Sequence, residues 1–130
     1  MIYLDASALV KLVLAEDESS ALTHWLDARN DVPNFTSDIA LVEVPRAVMR
    51  FAPTALLHVR DVLDTVNVIQ LKEKVIHHAA SLQPPSLRTL DAMHLASALQ
   101  IHADLTAFVA YDQRLHDAAL DAGLPAVQPA

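Results

Sequence analysis

Residues 1–12 read MIYLDASALVKL, and this stretch indicates the fold class of the chain. The run Ile2-Tyr3-Leu4 is short, apolar and rich in β-prone side chains, and the residues after Asp5 carry apolar side chains at helical spacing. Aspartate is a common N-cap, so its position between the two patterns is typical of a strand that leads directly into a helix. The stretch predicts a first strand, a first helix and an acid at their junction.

The same alternation of short apolar runs and helical patterns continues to the end of the chain. Further strand candidates are VPNFTS (32–37), NVIQL (67–71), TAFVAY (106–111) and LPAVQ (124–128). Strands that alternate with helices predict an α/β fold, in which helices cover both faces of a central parallel sheet. The length of 130 residues, with no linker or repeat, predicts a single domain over residues 1–130.

Two residues predict local backbone features of the helices. Pro45 lies inside the helical stretch that carries Glu43, and an interior proline removes a hydrogen bond, so we expect a kink or a break near residues 41–45. Gly123 follows the last helical pattern and is expected at the C′ position, where glycine closes a helix.

Composition excludes several classes of protein. The chain has no cysteine, which excludes disulfides and thiolate zinc sites, and its single glycine excludes Gly-rich phosphate-binding loops. No apolar stretch is long enough to span a bilayer, so we expect a cytoplasmic protein without membrane contact. The net charge of −7 argues against a generic nucleic-acid binder, unless clustered acids are compensated by bound divalent cations.

Four acidic residues stand in apolar surroundings and are the candidate site. Asp5 and Asp112 each follow an apolar run, whereas Glu43 and Asp91 lie on helical patterns. Ligands of open α/β sheets collect at the carboxyl ends of the strands, where such acids would form a strongly negative pocket. Like charges at short range raise one another's pKa values or recruit cations, and carboxylate oxygens suit Mg²⁺ or Mn²⁺.

Each acid also has a simpler interpretation. Asp5 and Asp91 could be helix N-caps, and Asp112 could be an ordinary loop acid after a strand. Glu43 is followed by Arg46 at i+3, so it could belong to an exposed, ion-paired face.

Four segments together resemble the PIN-domain ribonucleases, and specifically the VapC-type toxins of toxin–antitoxin pairs. They are MIYLDASALVKL, TSDIALVEVPRA, LRTLDAMHLASAL and AYDQRL, and the resemblance extends over nearly the whole chain. It implies a three-layer α/β/α PIN-like domain. It also implies that Asp5, Glu43, Asp91 and Asp112 form the catalytic set, with Asp5 and Asp91 as direct ligands of Mg²⁺ or, alternatively, of Mn²⁺.

The resemblance carries further expectations about the site and its partners. Ser7 corresponds to the family's hydroxyl residue near the first acid, Thr36 or Ser37 corresponds to its hydroxyl residue before the glutamate helix, and Tyr111 stands where a threonine or serine is usual. The implied activity is an RNA endonuclease that leaves a 5′ phosphate. The implied partners are a second copy of the chain in a homodimer and a VapB-like antitoxin, which blocks the site and alone contacts DNA.

Several basic residues are candidates for contact with RNA phosphate. Arg46 and Arg88 are the first choices because each lies three residues from an acid, and Arg50 and Arg114 are less specific candidates. The alternative for each is a surface ion pair. His94 follows Asp91 by three residues on an apolar helix, and we expect it to be a buried, hydrogen-bonded histidine.

Two other functions are compatible with these patterns. The chain could be a catalytically silent PIN-like module that acts through a partner complex. It could also be a phosphoacceptor or phosphatase with Asp5 as nucleophile. This last reading is the weakest, because Ser7 occupies the place of the second aspartate that such phosphatases use.

Overall fold

The computed structural model describes residues 1–130, which form five strands and seven α-helices. The strands are β1 (Ile2–Leu4), β2 (Asn34–Ser37), β3 (Asn67–Ile69), β4 (Ala107–Val109) and β5 (Ala126–Val127). The helices are α1 (Ala6–Val13), α2 (Ser19–Asp27), α3 (Ala40–Phe51), α4 (Leu56–Leu63), α5 (Glu73–Ser81), α6 (Thr89–Gln100) and α7 (Gln113–Asp121). Short 3-10 helices span Pro53–Ala55 and His102–Asp104. None of the helices combines the length and apolar character that a bilayer crossing requires.

All five strands are parallel, and their order in the sheet is β3-β2-β1-β4-β5. The chain moves outward from β1 to β2 and β3, and then returns to the other side of β1 to add β4 and β5. The strand order therefore reverses between β1 and β4, which pair from Ile2 opposite Ala107 to Leu4 opposite Val109. A reversal of this kind opens a crevice at the carboxyl ends of the two strands, where ligands of α/β sheets bind.

The two faces of the sheet carry separate hydrophobic cores. Ile2 and Leu4 point to one face and pack with α1, α2, α3 and α4, whereas Tyr3 points to the opposite face. There it packs with Phe108 and with buried residues of α6 and α7. Since successive side chains of a strand alternate between faces, the apolar run predicted for β1 supplies both cores. The predicted α/β/α architecture with a central parallel sheet is confirmed.

The helix that carries Pro45 is not broken. The sequence predicted a kink or a break near residues 41–45. α3 continues from Ala40 to Phe51 with Pro45 in its interior, so the break is wrong, and the kink stays a prediction. Val44 and Val48 are fully buried on either side of the proline. Their packing against the sheet outweighs the hydrogen bond that a proline lacks.

The end of α7 confirms the role predicted for the glycine. Gly123 has a φ of +84°, and its N–H donates to the Leu120 carbonyl at 2.9 Å. The next amide, that of Leu124, donates to the Ala119 carbonyl at 2.9 Å. These two bonds form a Schellman motif, which turns the chain from α7 towards β5.

Candidate active site

Asp5 lies at the carboxyl end of β1 and is nearly buried, with 4% of its surface exposed. Its Oδ1 accepts hydrogen bonds from the Ala8 amide at 2.9 Å and from the Ser7 hydroxyl at 2.6 Å. The N-cap interpretation is therefore correct, but it uses only Oδ1. Oδ2 accepts no hydrogen bond from the protein. Asp5 thus keeps one oxygen for another ligand.

Arg88 connects two of the other acids. Its Nε donates to Asp91 Oδ2 at 3.0 Å, and a terminal nitrogen donates to Asp112 Oδ2 at 3.1 Å. Asp112 is the N-cap of α7, because its Oδ1 accepts from the Leu115 amide at 3.1 Å. Arg88 is the N-cap residue of α6, so Asp91 lies one turn inside that helix. The guanidinium holds the two acids of α6 and α7 together.

Glu43 pairs with a buried histidine instead of with its helical neighbours. His94 Nε2 lies 2.6 Å from Glu43 Oε1, and His94 Nδ1 lies 2.7 Å from the Tyr3 hydroxyl. His94 is 1% exposed, which confirms the prediction of a buried, hydrogen-bonded histidine. Arg46, the predicted ion-pair partner of Glu43, is exposed and makes no salt bridge.

The four acids meet at one edge of the sheet, although no helix carries two of them. Each lies at the N-terminal end of a helix: Asp5 at α1, Glu43 at α3, Asp91 at α6 and Asp112 at α7. A cleft of about 430 Å³ at this edge is lined by Glu43 and Asp112, together with Ser7, Lys11 and Tyr111, whereas Asp5 and Asp91 lie beside it and not on its wall. The partial positive charge of helix N-termini favours carboxylates at such positions.

Charge and burial change the protonation of this site. Burial raises the pKa of Asp5 to about 6, and the negative charge of Asp91 adds to the rise. Proximity to His94 and the hydrogen bonds from Ser7 and Ala8 oppose that rise. The hydrogen bond to Asp91, followed by the charges of Asp91 and Asp112, raises the pKa of Arg88 above its usual value. Asp5 therefore carries a costly charge at neutral pH, which a cation would stabilise.

The donor set fits a divalent cation such as Mg²⁺, but it is not a closed ligand cage. No three histidine, aspartate or glutamate side chains stand in the geometry of a ready-made metal site. Arg88 and His94 pair with one oxygen of Asp91 and one of Glu43, and the other oxygen of each carboxylate accepts no hydrogen bond. Mg²⁺ keeps several waters and needs only one or two carboxylates. Asp5 and Asp91 can supply these through their free oxygens.

The sequence patterns did not predict the contacts that close the cleft on the side of β4. The Tyr111 amide donates to Ser7 Oγ at 2.9 Å, and the same hydroxyl donates to Asp5. Lys11 lies 4.7 Å from the Tyr111 ring centroid and 2.7 Å from Glu18 Oε2. Six residues separate Asp5 from Lys11, and this spacing does not place two side chains on one helix face, so no sequence signal indicated Lys11.

The remaining predicted residues fall into two groups. Arg46, Arg50 and Arg114 are exposed, and none of them forms a salt bridge. Arg46 lies one turn beyond Glu43 on α3, whereas the Arg50 guanidinium lies 5.1 Å from the Phe51 ring centroid. Ser37 Oγ accepts from the Ile39 amide at 3.4 Å before α3, and Thr36 is buried without a partner.

A second cavity lacks the chemistry of the first. It has a volume of about 490 Å³ and lies between α5, α6 and the segment 81–89. None of the side chains that line it is charged. This cavity therefore offers no charged side chain to a ligand, in contrast to the acidic cleft.

Comparison with known proteins gives the same picture as the geometry. Residues 2–120 match the family model described as the PIN domain. Ribonuclease VapC47 of Mycobacterium tuberculosis is 41% identical to this chain, and the alignment covers 99% of the chain and 97% of the relative.

Solved structures share the fold at much lower sequence identity. The M. tuberculosis toxin VapC20, described as cleaving the sarcin-ricin loop, has a TM-score of 0.77 at 18% identity, over 99% of this chain and 100% of that one. A toxin–antitoxin complex from Klebsiella pneumoniae has a TM-score of 0.70 at 23% identity, over 100% and 98% of the two chains. With the full-length match to a VapC ribonuclease, these findings show that the chain belongs to the PIN domain family and to its VapC branch.

Proposed function

We propose that this protein is a Mg²⁺-dependent endoribonuclease and the toxin of a type II toxin–antitoxin module. The observation that carries the proposal is the position of Asp5, Glu43, Asp91 and Asp112 at helix N-termini on one edge of the sheet. Arg88 bridges Asp91 and Asp112, and Asp91 is close enough to raise the pKa of Asp5. A protein without catalytic use for these acids would lose stability by keeping like charges together. The full-length similarity to a VapC ribonuclease supports RNA as the substrate class.

Each residue of the site has a role in this proposal. Asp5 and Asp91 hold the ion, and Ser7 orients Asp5 through its 2.6 Å hydrogen bond. When bound, Mg²⁺ supplies a water of lowered pKa and stabilises negative charge on the scissile phosphate. Glu43 and Asp112 complete the acidic wall that orients this water. Mn²⁺ offers the same chemistry, since its ligand preferences are similar.

The basic residues give the acidic chain a way to bind RNA. Arg88 is exposed on its solvent side while it bridges Asp91 and Asp112, so its guanidinium can also contact a phosphate. Arg46 is exposed one turn from Glu43 and has no protein partner to lose. In-line attack of water on a phosphate beside these residues would break its bond to the 3′ oxygen. That oxygen would leave with a proton as a 3′ hydroxyl, and the downstream fragment would keep a 5′ phosphate.

The proposed partners are a second copy of the chain and a VapB-like antitoxin that blocks the cleft. The toxin–antitoxin complex among the structural neighbours supports the antitoxin. Large apolar side chains exposed on α3 and α4 support contact with another protein, since exposed apolar clusters mark such surfaces. DNA contact would come through the antitoxin, and RNA and antitoxin would meet this protein in the cytoplasm. Light scattering tests the homodimer, which should have twice the 14.2-kDa chain mass.

The test of the activity is the sequencing of RNA 5′ ends after incubation of RNA with purified protein in Mg²⁺. Wild-type protein should produce discrete new ends that carry a 5′ phosphate, and Asp5→Asn should produce none. Asp117→Asn is the matched control, because it removes an exposed acid from α7 outside the cleft. Excess EDTA should abolish cleavage by wild-type protein.

Two outcomes would overturn the proposal. One is full cleavage by Asp5→Asn or by wild-type protein in EDTA. The first result would show that the Asp5 carboxylate is not needed, and the second that the ion is not needed. The other is a folded protein that binds a co-expressed antitoxin tightly but cleaves no RNA at any Mg²⁺ or Mn²⁺ concentration. That second result would favour the catalytically silent binding module.

A further inference from the structure

A buried hydrogen-bonded chain leads from the centre of the sheet to the acidic cleft. It begins at Tyr3 on β1, passes through His94 on α6 and ends at Glu43 on α3. The Tyr3 hydroxyl lies 2.7 Å from His94 Nδ1, and His94 Nε2 lies 2.6 Å from Glu43 Oε1. The two partners of His94 are 91 and 51 residues away along the chain. The two hydrogen bonds of His94 therefore join three elements that lie far apart along the chain.

The direction of the hydrogen bonds follows from the chemistry of the three groups. An ionised carboxylate can only accept, so the hydrogen between His94 and Glu43 resides on Nε2. In a neutral imidazole the other nitrogen is then an acceptor, and the Tyr3 hydroxyl can donate to it. Burial raises the pKa of Tyr3 well above its usual value, so the phenol keeps its hydrogen. Tyr3 thus selects the tautomer that donates to Glu43.

Tyr3 and His94 in this hydrogen-bonded series are held by packing on all sides, whereas Glu43 at its outer end is partly exposed. Tyr3 is completely buried and stacks on Phe108, with ring centroids 5.2 Å apart and planes 5° from parallel. His94 meets the Tyr3 ring edge-on at 5.9 Å and is itself 1% exposed. The Glu43 side chain, in contrast, is 23% exposed. Without a fixed donor, Glu43 would turn away from the negative charge of Asp5 and towards water.

We propose that His94 is a positioning residue that holds the Glu43 carboxylate in the cleft, with Tyr3 fixing the orientation of its ring. This inference rests on the proposed endoribonuclease activity. It assigns a function to a side chain that would otherwise be a satisfied polar group in the core. His94 contacts neither RNA nor the ion in this arrangement, and it acts only through Glu43.

Two amide substitutions of His94 separate positioning from packing. In His94→Gln the amide nitrogen takes the place of Nε2 and can still donate to Glu43. In His94→Asn the shorter side chain presents its amide near the place of Nδ1 and leaves Glu43 without a donor. Both remove the ring, so both lose similar packing. Tyr3→Phe keeps the stacked ring and removes only the hydroxyl.

The experiment measures kcat and KM for cleavage of a synthetic RNA in Mg²⁺, together with the urea unfolding midpoint of each variant. We expect kcat of His94→Asn to fall by about 10- to 100-fold with KM nearly unchanged, because a misplaced catalytic group costs rate more than binding. His94→Gln should recover most of this loss, and Tyr3→Phe should show a smaller loss than His94→Asn. Leu95→Val, which trims a buried neighbour on α6, is the control for destabilisation alone.

A spectroscopic measurement tests the geometry without reference to activity. In ¹⁵N-histidine-labelled wild-type protein, His94 should carry its hydrogen on Nε2 and show an unprotonated Nδ1. The Tyr3→Phe variant should alter the Nδ1 signal, and Glu43→Gln should alter the signal of the Nε2 hydrogen. A hydrogen on Nδ1 alone in wild-type protein would overturn the inference whatever the kinetics.

The outcomes distinguish this inference from the proposed function. Wild-type protein that cleaves no RNA in Mg²⁺ overturns the proposed function and this inference with it. Active wild-type protein, an impaired Glu43→Gln variant and equal kcat values for His94→Asn and His94→Gln overturn the inference alone. Rates of all variants that follow only their unfolding midpoints, including Leu95→Val, would also overturn it.

Discussion

Asp5 uses one carboxylate oxygen for structure and leaves the other without a hydrogen bond. Oδ1 caps α1 and accepts the Ser7 hydroxyl, while Oδ2 accepts no hydrogen bond. Burial raises the pKa of Asp5 to about 6, against about 3.9 for an unperturbed aspartate. The folded protein therefore binds a proton at Asp5 more tightly than the unfolded chain does. The resulting stabilisation is complete below pH ~4 and is lost as the pH rises through ~6.

This linkage predicts the effect of Asp5→Asn on stability. Asparagine keeps an N-cap acceptor but carries no charge, so the variant should gain about 3 kcal/mol in free energy of unfolding at pH 8. At pH 4 it should gain little, because the wild-type carboxyl is then protonated in the folded state. Urea denaturation in EDTA at the two pH values measures the difference, with Asp117→Asn as the control. Equal gains at both pH values would show that Asp5 is not a buried charge.

Arg88 makes one contact that the sequence spacing predicted and a second contact that it could not predict. Its pair with Asp91 at i+3 was expected as the simpler interpretation, and it is present at 3.0 Å. The second contact, to Asp112 at 3.1 Å, spans 24 residues and depends on how α6 and α7 meet at the sheet edge. Arg88 thereby relieves the repulsion between two acids of the cleft.

The Arg88→Met variant tests whether this arginine acts on RNA. We expect kcat/KM for RNA cleavage to fall about tenfold or more, since hydrogen bonds to charged groups contribute about 1.5–3 kcal/mol. The free energy of unfolding should change by less than ~1 kcal/mol, because the pair lies at the surface. Arg60→Met is the matched control, because Arg60 makes an exposed pair with Asp64 on α4. Equal values of kcat/KM for Arg88→Met and Arg60→Met would show that Arg88 does not contribute to RNA cleavage.

The strands and helices could be predicted from the sequence where local patterns of apolar residues determine them. The first strand was expected at residues 2–4, and β1 spans Ile2–Leu4. The helix predicted directly after Asp5 is α1, which begins at Ala6 and ends at Val13. Pro45 misled the prediction for α3 because helix propensity is a local preference, and buried valines on the same helix outweigh it.

The Schellman turn after α7 supports a prediction about stability that does not depend on function. Gly123→Ala should lower the free energy of unfolding by about 1–2 kcal/mol, because an L side chain disfavours the left-handed region at a φ of +84°. No atom lies within 4 Å of the position that the new Cβ would take, so a clash adds nothing. Chemical denaturation measures the loss, and RNA cleavage should be unchanged. An unchanged free energy of unfolding in Gly123→Ala would show that the turn accommodates alanine without strain.

At the scale of the whole molecule, the strand order brings the acids of the candidate site close together. Acids after β1 and β4 could be identified from the sequence, but their adjacency required the order β3-β2-β1-β4-β5. That order places the chain reversal between the two strands that carry Asp5 and Asp112. The pairing of Glu43 with His94 was beyond prediction, because no spacing rule relates α3 to α6 across 51 residues.

The net charge of −7 and an RNA substrate are compatible only if the acidic cleft is neutralised. Arg88 supplies part of the compensation from within the chain, and a bound divalent ion would supply the rest. Because metal binding requires the ionised carboxylate, affinity for Mg²⁺ should fall as the pH drops below the pKa of about 6 at Asp5.

Calorimetric titration of the metal-free protein with Mg²⁺ and with Mn²⁺ at pH 7.5 tests the central claim most directly. We predict uptake of the ion by wild-type protein and by the Asp117→Asn control, and loss of that uptake in Asp5→Asn and in Asp91→Asn. Wild-type protein that takes up neither ion, or site variants that bind as wild-type protein does, would contradict the account.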